Sequence, residues 1–324
     1  MPIETLRCPK AIAALGGPPS ASRLTETTVR LQSPTRHFVL LANDGTCRAR
    51  CSVWTDGAPT YAGQAVARIG HYAAADPRAA QRVLAHAMDH LRKAGSTFVV
   101  GPMDGSTWFS YRFVTGERST PPFFMEPWHP PAYPVDVEDA GFTPIEQYVS
   151  ARVPASDPSP PDAPPVPVNV RGLDTAHLDA DLRRVHALAT TCFAGNVLYS
   201  PLDPDAFLAL YRPLVTALNP SLFRLAETPD GRLVGMILLV PDRCQAERGG
   251  PVDTVITKTV AVHPERVGQG LGHWLYTEAQ HVAHRLGYIR SIHALMHTAN
   301  RSLRMSRARS SIPMRRYTLF GRAL

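Results

Sequence analysis

Gly268, Gly270 and Gly272 alternate within VAVHPERVGQGLGHWLYTEA (residues 260–279), where an apolar strand gives way to a helix. The free N–H groups of a helix's first turn point out of a partly positive end. Glycines there let the backbone curl round an anion and approach it closely. The chemistry this suits is the cradling of phosphate oxygens by main-chain N–H groups. Two commoner phosphate loops are excluded. His273 stands where G-x-G-x-x-G needs its third glycine, and G-x-x-x-x-G-K-[ST] is absent. A tight turn that needs only positive φ is the competing structural reading.

Metal chemistry is the second possibility the residue types raise. Glu278, His281, His284 and His293 cluster in sequence, with His281 and His284 on one helical face. No HExxH accompanies them, so a solvated helix face is the better reading. Cys47 and Cys51 have no nearby second ligand pair, and the five cysteines form no paired pattern. The sequence therefore predicts no metal and no disulfide framework.

These residues sit in a mixed α/β pattern. DTAHLDADLRRVHALATTCF and DPDAFLALYRPLVTAL read as helices, the second with Asp203 as N-cap and Pro204 behind it. LFRLAET-PDG-RLVGMILLV reads as a hairpin and DTVITKTVAV as a central strand. After the glycine turn, GHWLYTEAQHVAHRLG predicts a helix ended by Gly287; YIRSIHALM, NRSLRMSRA and MRRYTLFGRAL follow as strand, helix and strand. A strand–helix–strand crossover implies parallel pairing beside the antiparallel hairpin.

The first half repeats this order: a hairpin round Asn43-Asp44-Gly45, a strand, a helix capped by Asp76 and closed by Gly95, then STFVVGPM. Its turn, GHYAAADP, lacks the glycine cluster. The chain thus reads as α/β (α+β), an internal duplication in which only the second copy keeps the special turn. VPASDPSPPDAPPVPV holds seven prolines and separates the copies. The expected division is a leader (1–25), a first domain (26–152), a proline-rich linker (153–168) and a second domain (169–324). The longest apolar run of the leader, AIAAL, is too short for a secretion signal, and no run of 18 apolar residues occurs. A cytoplasmic protein with no membrane partner is expected.

VAVHPERVGQGLGHWL resembles the acetyl-CoA loop of the GCN5-related N-acetyltransferase (GNAT) superfamily: strand, V-x-P, [QR]-x-x-G-x-[GA], helix. Gly268 to Gly272 match its end; Val267 replaces the usual Arg or Gln, and Arg266 comes one place early. ALMHTANRS adds the Asn that opens the next helix in many members. GPMDGSTWFSYR, PPFFMEP, TCFAGNVLYSPL and IHALMHTANRS are together similar to a long bacterial tandem-GNAT-like subfamily of undefined substrate. The resemblance implies two GNAT-like mixed-sheet domains, the N-terminal one degenerate, and acetyl-CoA as co-substrate. It places the pyrophosphate on Val267, Gly268, Gln269, Gly270, Leu271 and Gly272. Main-chain N–H groups near Ala261 and Val262 would polarise the thioester. Asn300 and Ser302 would face the pantetheine or thiol, and Asn196 and Tyr199 the acceptor.

Acylating an amine calls for a base, because a lysine-like amine is protonated at neutral pH. The superfamily's acid, a Tyr in the helix after the Asn, is missing from NRSLRMSRARSS. Tyr317 and Ser302 are substitute acids, and His297 and Asp253 candidate bases. Trp108, Tyr111, Phe123 and Phe124 read as core and cleft edge, with a nucleic-acid stacking surface the weaker alternative. The net charge is +7, and residues 279–324 hold nine arginines and no Asp or Glu. That run suits an anionic partner, among which an acidic acyl carrier protein ranks above nucleic acid. The function expected is an acyl-CoA-dependent N-acyltransferase acting on a small-molecule amine. An acyltransferase fed by a carrier protein and a non-catalytic CoA-binding regulator stay open.

Overall fold

A computed structural model describes all residues except Ser20, Ala58 and residues 155–158. Part of the expected linker lies outside the described residues. The first half runs β1 (Ile3–Leu6), α1 (Pro9–Leu15), α2 (Glu26–Gln32), β2 (Arg36–Leu41), β3 (Cys47–Trp54), the small β4 (Thr60–Tyr61) and β5 (Gln64–Ala65), β6 (Ala67–Ala74), α3 (Pro77–Lys93), β7 (Phe98–Gly101), β8 (Phe113–Val114), α4 (Ala132–Asp139) and β9 (Thr143–Val153). The second runs β10 (Asn169–Arg171), α5 (Leu178–Phe193), α6 (Pro204–Thr216), β11 (Phe223–Glu227), β12 (Leu233–Pro241), α7 (Cys244–Glu247), β13 (Thr254–Val262), α8 (Leu271–Arg285), β14 (Arg290–His297), α9 (Arg301–Arg307) and β15 (Ile312–Ala323).

The caps read from the sequence are in place. Asp76 accepts from Ala79 N at 2.9 Å to start α3, and Asp203 accepts from Asp205 N at 2.9 Å to start α6. Val83, Leu84, Ala87, Met88 and Leu91 bury the inner face of α3 against β2, β3 and β6. Leu271, Leu275, Ala279 and Ala283 do the same for α8 over β12 and β13. Each fully buried leucine contributes roughly 1.5–3 kcal/mol of transfer free energy, so these faces fix which side of each helix lies on the sheet.

The halves share one sheet, in the order β1-β2-β3-β6-β7-β15-β9-β14-β13-β12-β11-β10. Each half has one parallel pair, β6 with β7 and β13 with β14. The closing strands are exchanged: β9 of the first half lies beside β14, and β15 of the second lies beside β7. Thus β15, the strand read in MRRYTLFGRAL, is separated from the β13–β14 pair by β9. Residues 1–25, expected as a leader, contribute β1, paired with β2, and α1, whose Ile12 is fully buried.

Candidate active site

The parallel pair β13–β14 is hydrogen-bonded only from Thr254–Arg290 to Thr257–His293. Beyond that β14 breaks register with β9 between His293 and Met296, and Leu295 takes φ 56°. Ser150 Oγ holds Leu295 N at 2.9 Å. This bulge turns β14 away from β13 and opens a gap between them. The gap is the floor of a cavity of about 390 Å³.

The open edge of β13 presents backbone donors. His263 N donates to Val234 O at 2.8 Å, so His263 faces β12. Strand alternation then turns Ala261 toward β12 as well, and Val260 and Val262 toward the gap. The oxyanion role expected of both Ala261 and Val262 narrows to Val262, with Val260 two residues earlier.

The glycine turn follows. Gly268 and Gly270 take φ 89° and 84°, which residues with a Cβ rarely adopt. Gly270 is the N-cap of α8 and offers no side chain, so the first-turn N–H groups of Leu271, Gly272 and His273 stay open to an external acceptor. Val267 is 43% exposed and supports nothing. Arg266, one position early, reaches Gln269 Oε1 at 3.5 Å, while Gln269 Nε2 holds Glu265 O at 3.0 Å. The second part of the proline-rich segment packs here: Trp274 Nε1 donates to Asp162 O at 2.7 Å.

Both halves wall the cavity. From the first come Trp108, Tyr111, Arg112, Phe123, Phe124 and Tyr148; from the second, Phe193, Asn196, Tyr199, Lys258, His297, Asn300 and Ser302. Trp108 bridges them, its Nε1 donating to Ser200 O at 3.0 Å and its ring meeting Phe207 edge-on at 5.6 Å. Arg112 lies over the Tyr111 and Tyr148 rings at 3.8 and 4.0 Å and donates to Leu295 O at 3.0 Å.

Of the four acid–base candidates, His297 and Ser302 line the cavity. His297 Nε2 meets Glu146 Oε2 at 2.6 Å, and its Nδ1 accepts from Ala299 N at 3.1 Å. That pattern assigns the Nε2–H tautomer. Tyr317 is fully buried in the β15–β9 seam, donating to Glu126 and accepting from Ser150 Oγ at 2.9 Å. Burial, then the Glu126 charge, raises its pKa far above the usual phenol range. It is a structural hydroxyl on β15, which β9 and β14 separate from the gap. Asp253 sits at the opposite end of β13, paired with Arg290 and held by Gln245 at 2.9 Å. It starts the strand and does not reach the cavity.

The histidine cluster disperses. Glu278 pairs with Arg224 at 2.7 Å, and His293 bonds Ser306 Oγ and Tyr276 OH at 2.7 and 2.8 Å. Among the described residues no group of three potential ligands could hold a metal ion. Nor is any described helix long and apolar enough to cross a membrane. The arginine run divides. Arg315 is buried against Glu126 at 3.0 Å, Arg290 pairs with Asp253 and Arg309 lies over Tyr276 at 3.8 Å. Arg301, Arg304 and Arg307 project from α9.

Residues 182–307 match the Acetyltransferase (GNAT) family. This segment, with its splayed strands and glycine turn, is a GNAT domain. Its relatives among solved structures extend the likeness to the whole chain. A GCN5-related N-acetyltransferase from Sphaerobacter thermophilus is 15% identical, with 99% of this chain and 95% of that one covered and a TM-score of 0.53. A tandem GNAT protein from the clavulanic acid biosynthesis pathway is 15% identical, with coverage of 99% and 98% and a TM-score of 0.56. A probable N-acyltransferase from Enterococcus faecalis V583 is 11% identical, with coverage of 99% and 72% and a TM-score of 0.58. At these identities the likeness establishes the tandem GNAT fold. No curated protein matches the chain.

Lys258, Arg112 and Tyr148 were not singled out in the sequence. The signal for Lys258 was available: it is a lone charge inside the apolar run DTVITKTVAV, and one of three lysines among 34 basic residues. Arg112 and Tyr148 carry no local signal, because their relevance comes from the apposition of the halves.

Proposed function

We propose that the chain is an acyl-CoA-dependent N-acyltransferase, with acetyl-CoA the simplest donor and a small amine the acceptor. The observation that carries this reading is the union of three features: an open β13 edge, an uncapped glycine start to α8, and a cavity at the gap. The open N–H groups of α8 suit a pyrophosphate, and the gap suits a pantetheine arm. Val262 N–H, and Val260 N–H beside it, face the place where negative charge develops on the thioester oxygen. The amine nitrogen attacks the carbonyl carbon; the C–N bond forms, the C–S bond breaks and the thiolate leaves. His297 is the base candidate in the cavity. Its Nε2 is held by Glu146, so it takes the amine's proton at Nδ1 in place of the Ala299 contact. Ser302 is placed to pass a proton to the thiolate. Asn196 and Tyr199 line the acceptor side.

A second reading, donation from an acidic acyl carrier protein, is favoured by the exposed arginines of α9, which flank Asn300 and Ser302 at the cavity wall. Calorimetric titration tests both. Saturation near one acetyl-CoA per chain, followed by turnover on an amine panel, supports the first. Acyl transfer from a carrier protein with no binding of acetyl-CoA replaces it with the second.

A further inference from the structure

The cavity holds two cations and no counter-ion. Its lining includes Lys258 and Arg112 but no Asp or Glu. The nearby carboxylates are engaged elsewhere. Glu146 meets His297 at 2.6 Å, Glu126 meets Arg315 at 3.0 Å, and Asp242 accepts from Phe124 N at 2.8 Å. Arg112 spends Nη1 on Leu295 O and Nε on Tyr111 O, leaving Nη2 without a partner among the described residues. Lys258 Nζ has no hydrogen bond or ion pair among the described residues, although it stands at the first position of β13 past the paired segment. Burial, then the charge of Arg112, pulls its pKa down to about 8. A part-buried, unpaired ammonium beside a guanidinium gains from an anion that joins it. The rest of the wall is aromatic: Trp108, Tyr111, Phe123, Phe124, Tyr148 and Phe193.

We propose that the cavity takes a ligand with a carboxylate, paired with Lys258 and Arg112, and an aromatic or apolar body against the ring wall. The inference rests on the acyl-transfer reading of the cavity. Two sources supply that chemistry: an acceptor of amino-acid type, or an acyl group that itself ends in a carboxylate.

The chain has three lysines, Lys10, Lys93 and Lys258, which gives a readout independent of turnover. The full chain is reductively methylated with formaldehyde and borohydride, and each lysine is followed by mass spectrometry. 3-Phenylpropionate and phenylalanine are added as carboxylate probes, and 3-phenylpropanol and phenethylamine as their counterparts without the carboxylate. The expected result is that the carboxylates slow methylation of Lys258 by about tenfold or more, the scale of one charge-assisted bond, and leave Lys10 and Lys93 unchanged. Equal protection by the alcohol and the amine, or no protection by either carboxylate, overturns the proposal. Succinyl-CoA against butyryl-CoA, in the same assay, tells the sources apart. Preferential protection by succinyl-CoA assigns the carboxylate to the acyl group; preferential protection by phenylalanine over phenethylamine assigns it to the acceptor. In Lys258→Met the preference for phenylpropionate over phenylpropanol in direct titration should fall about tenfold or more, with Arg112 keeping the remainder; an unchanged preference also overturns the proposal. Failure of amine acylation with protection intact would count against the transfer reading alone.

Discussion

The start of α3 and the start of α8 occupy equivalent places in the two halves and differ in what fills them. At α3 the helix end is occupied by the chain's own carboxylate: Asp76 accepts from Ala79 N at 2.9 Å and pairs with Arg48 at 2.5 Å. At α8 the cap is Gly270, which brings no side chain. The gaps differ in the same sense. Past Arg68, β6 is covered by the chain after β7: Met103 N donates to Ile69 O at 2.8 Å, and His71 N donates to Asp104 Oδ1 at 2.7 Å. A Cβ on Gly70 would stand 2.4 Å from Met103 O, so the two segments are in direct contact. Past Thr257, β13 borders a cavity instead. One fold thus yields a self-filled copy and an open copy. The filled copy lends its aromatic residues to the wall of the open one.

Installing the first half's cap in the second is the sharpest way to break this contrast. Gly270→Asp places a carboxylate at the first turn of α8, and aspartate tolerates the left-handed backbone better than most residues. Acetyl-CoA affinity should fall ~100-fold or more, about 2.7 kcal/mol, because the new anion competes for the N–H groups and repels the phosphates. Gly270→Asn has the same shape without the charge and should lose much less. Equal losses in calorimetric titration would make the effect steric and remove the anion cradle from the account.

Local chemistry was legible in the sequence; apposition was not. Asp76, Asp203 and the glycine turn announce their elements within a few residues, and β13, α8 and β14 lie where their patterns place them. The strand TPIEQYVSARV, β9, was missed, although it joins the halves. Its partners, β14 and β15, lie more than 130 residues away in sequence, and pairing partners leave no local trace. The same gap in local information misplaced Tyr317, whose neighbours Glu126 and Ser150 come from the other half. It also hid Arg112 and Tyr148. The candidate site was therefore half legible: the cradle could be read, and the wall opposite it could not.

Acid offers a second test, because the filled copy closes itself with buried neutral imidazoles. His37 Nδ1 and His71 Nδ1 share Ser52 Oγ at 2.7 and 2.8 Å. Burial first, then neighbouring positive charge, lowers both from 6.5 to about 3. His129 falls to about 4 by burial, opposed by its bond to Pro130 O and aided by Arg118. In the open copy His293 falls to about 4, by burial and Arg309. The unfolded imidazoles take protons near pH 6.5 and the folded ones only near 3 to 4. The unfolded state therefore binds more protons across that window, and stability falls as pH drops through it. From pH 6.5 to 5.5 the loss is about 1.4 kcal/mol per histidine at most, and the two that share Ser52 need not add. Once exchange rates at the two pH values are corrected for the slower intrinsic amide exchange in acid, protection should fall more in β2, β3 and β6 than in β11, β12 and β13. A uniform fall in protection across both halves would show that the copies do not differ in this respect.

The smallest effect tests whether filling the helix end is what silences the first half. Asp76→Ala removes the cap and should cost about 1 kcal/mol in denaturant unfolding. The Arg48 pair adds little, since both side chains are more than a third exposed and screened by water. Acetyl-CoA stoichiometry in titration should stay at one per chain. Removing Asp76 frees N–H groups of α3, but segment 103–104 still covers the edge of β6, where a pantetheine arm would have to lie. A second, weaker equivalent of acetyl-CoA in Asp76→Ala would instead mean that a single carboxylate separates the two copies, with the covered edge able to open on demand.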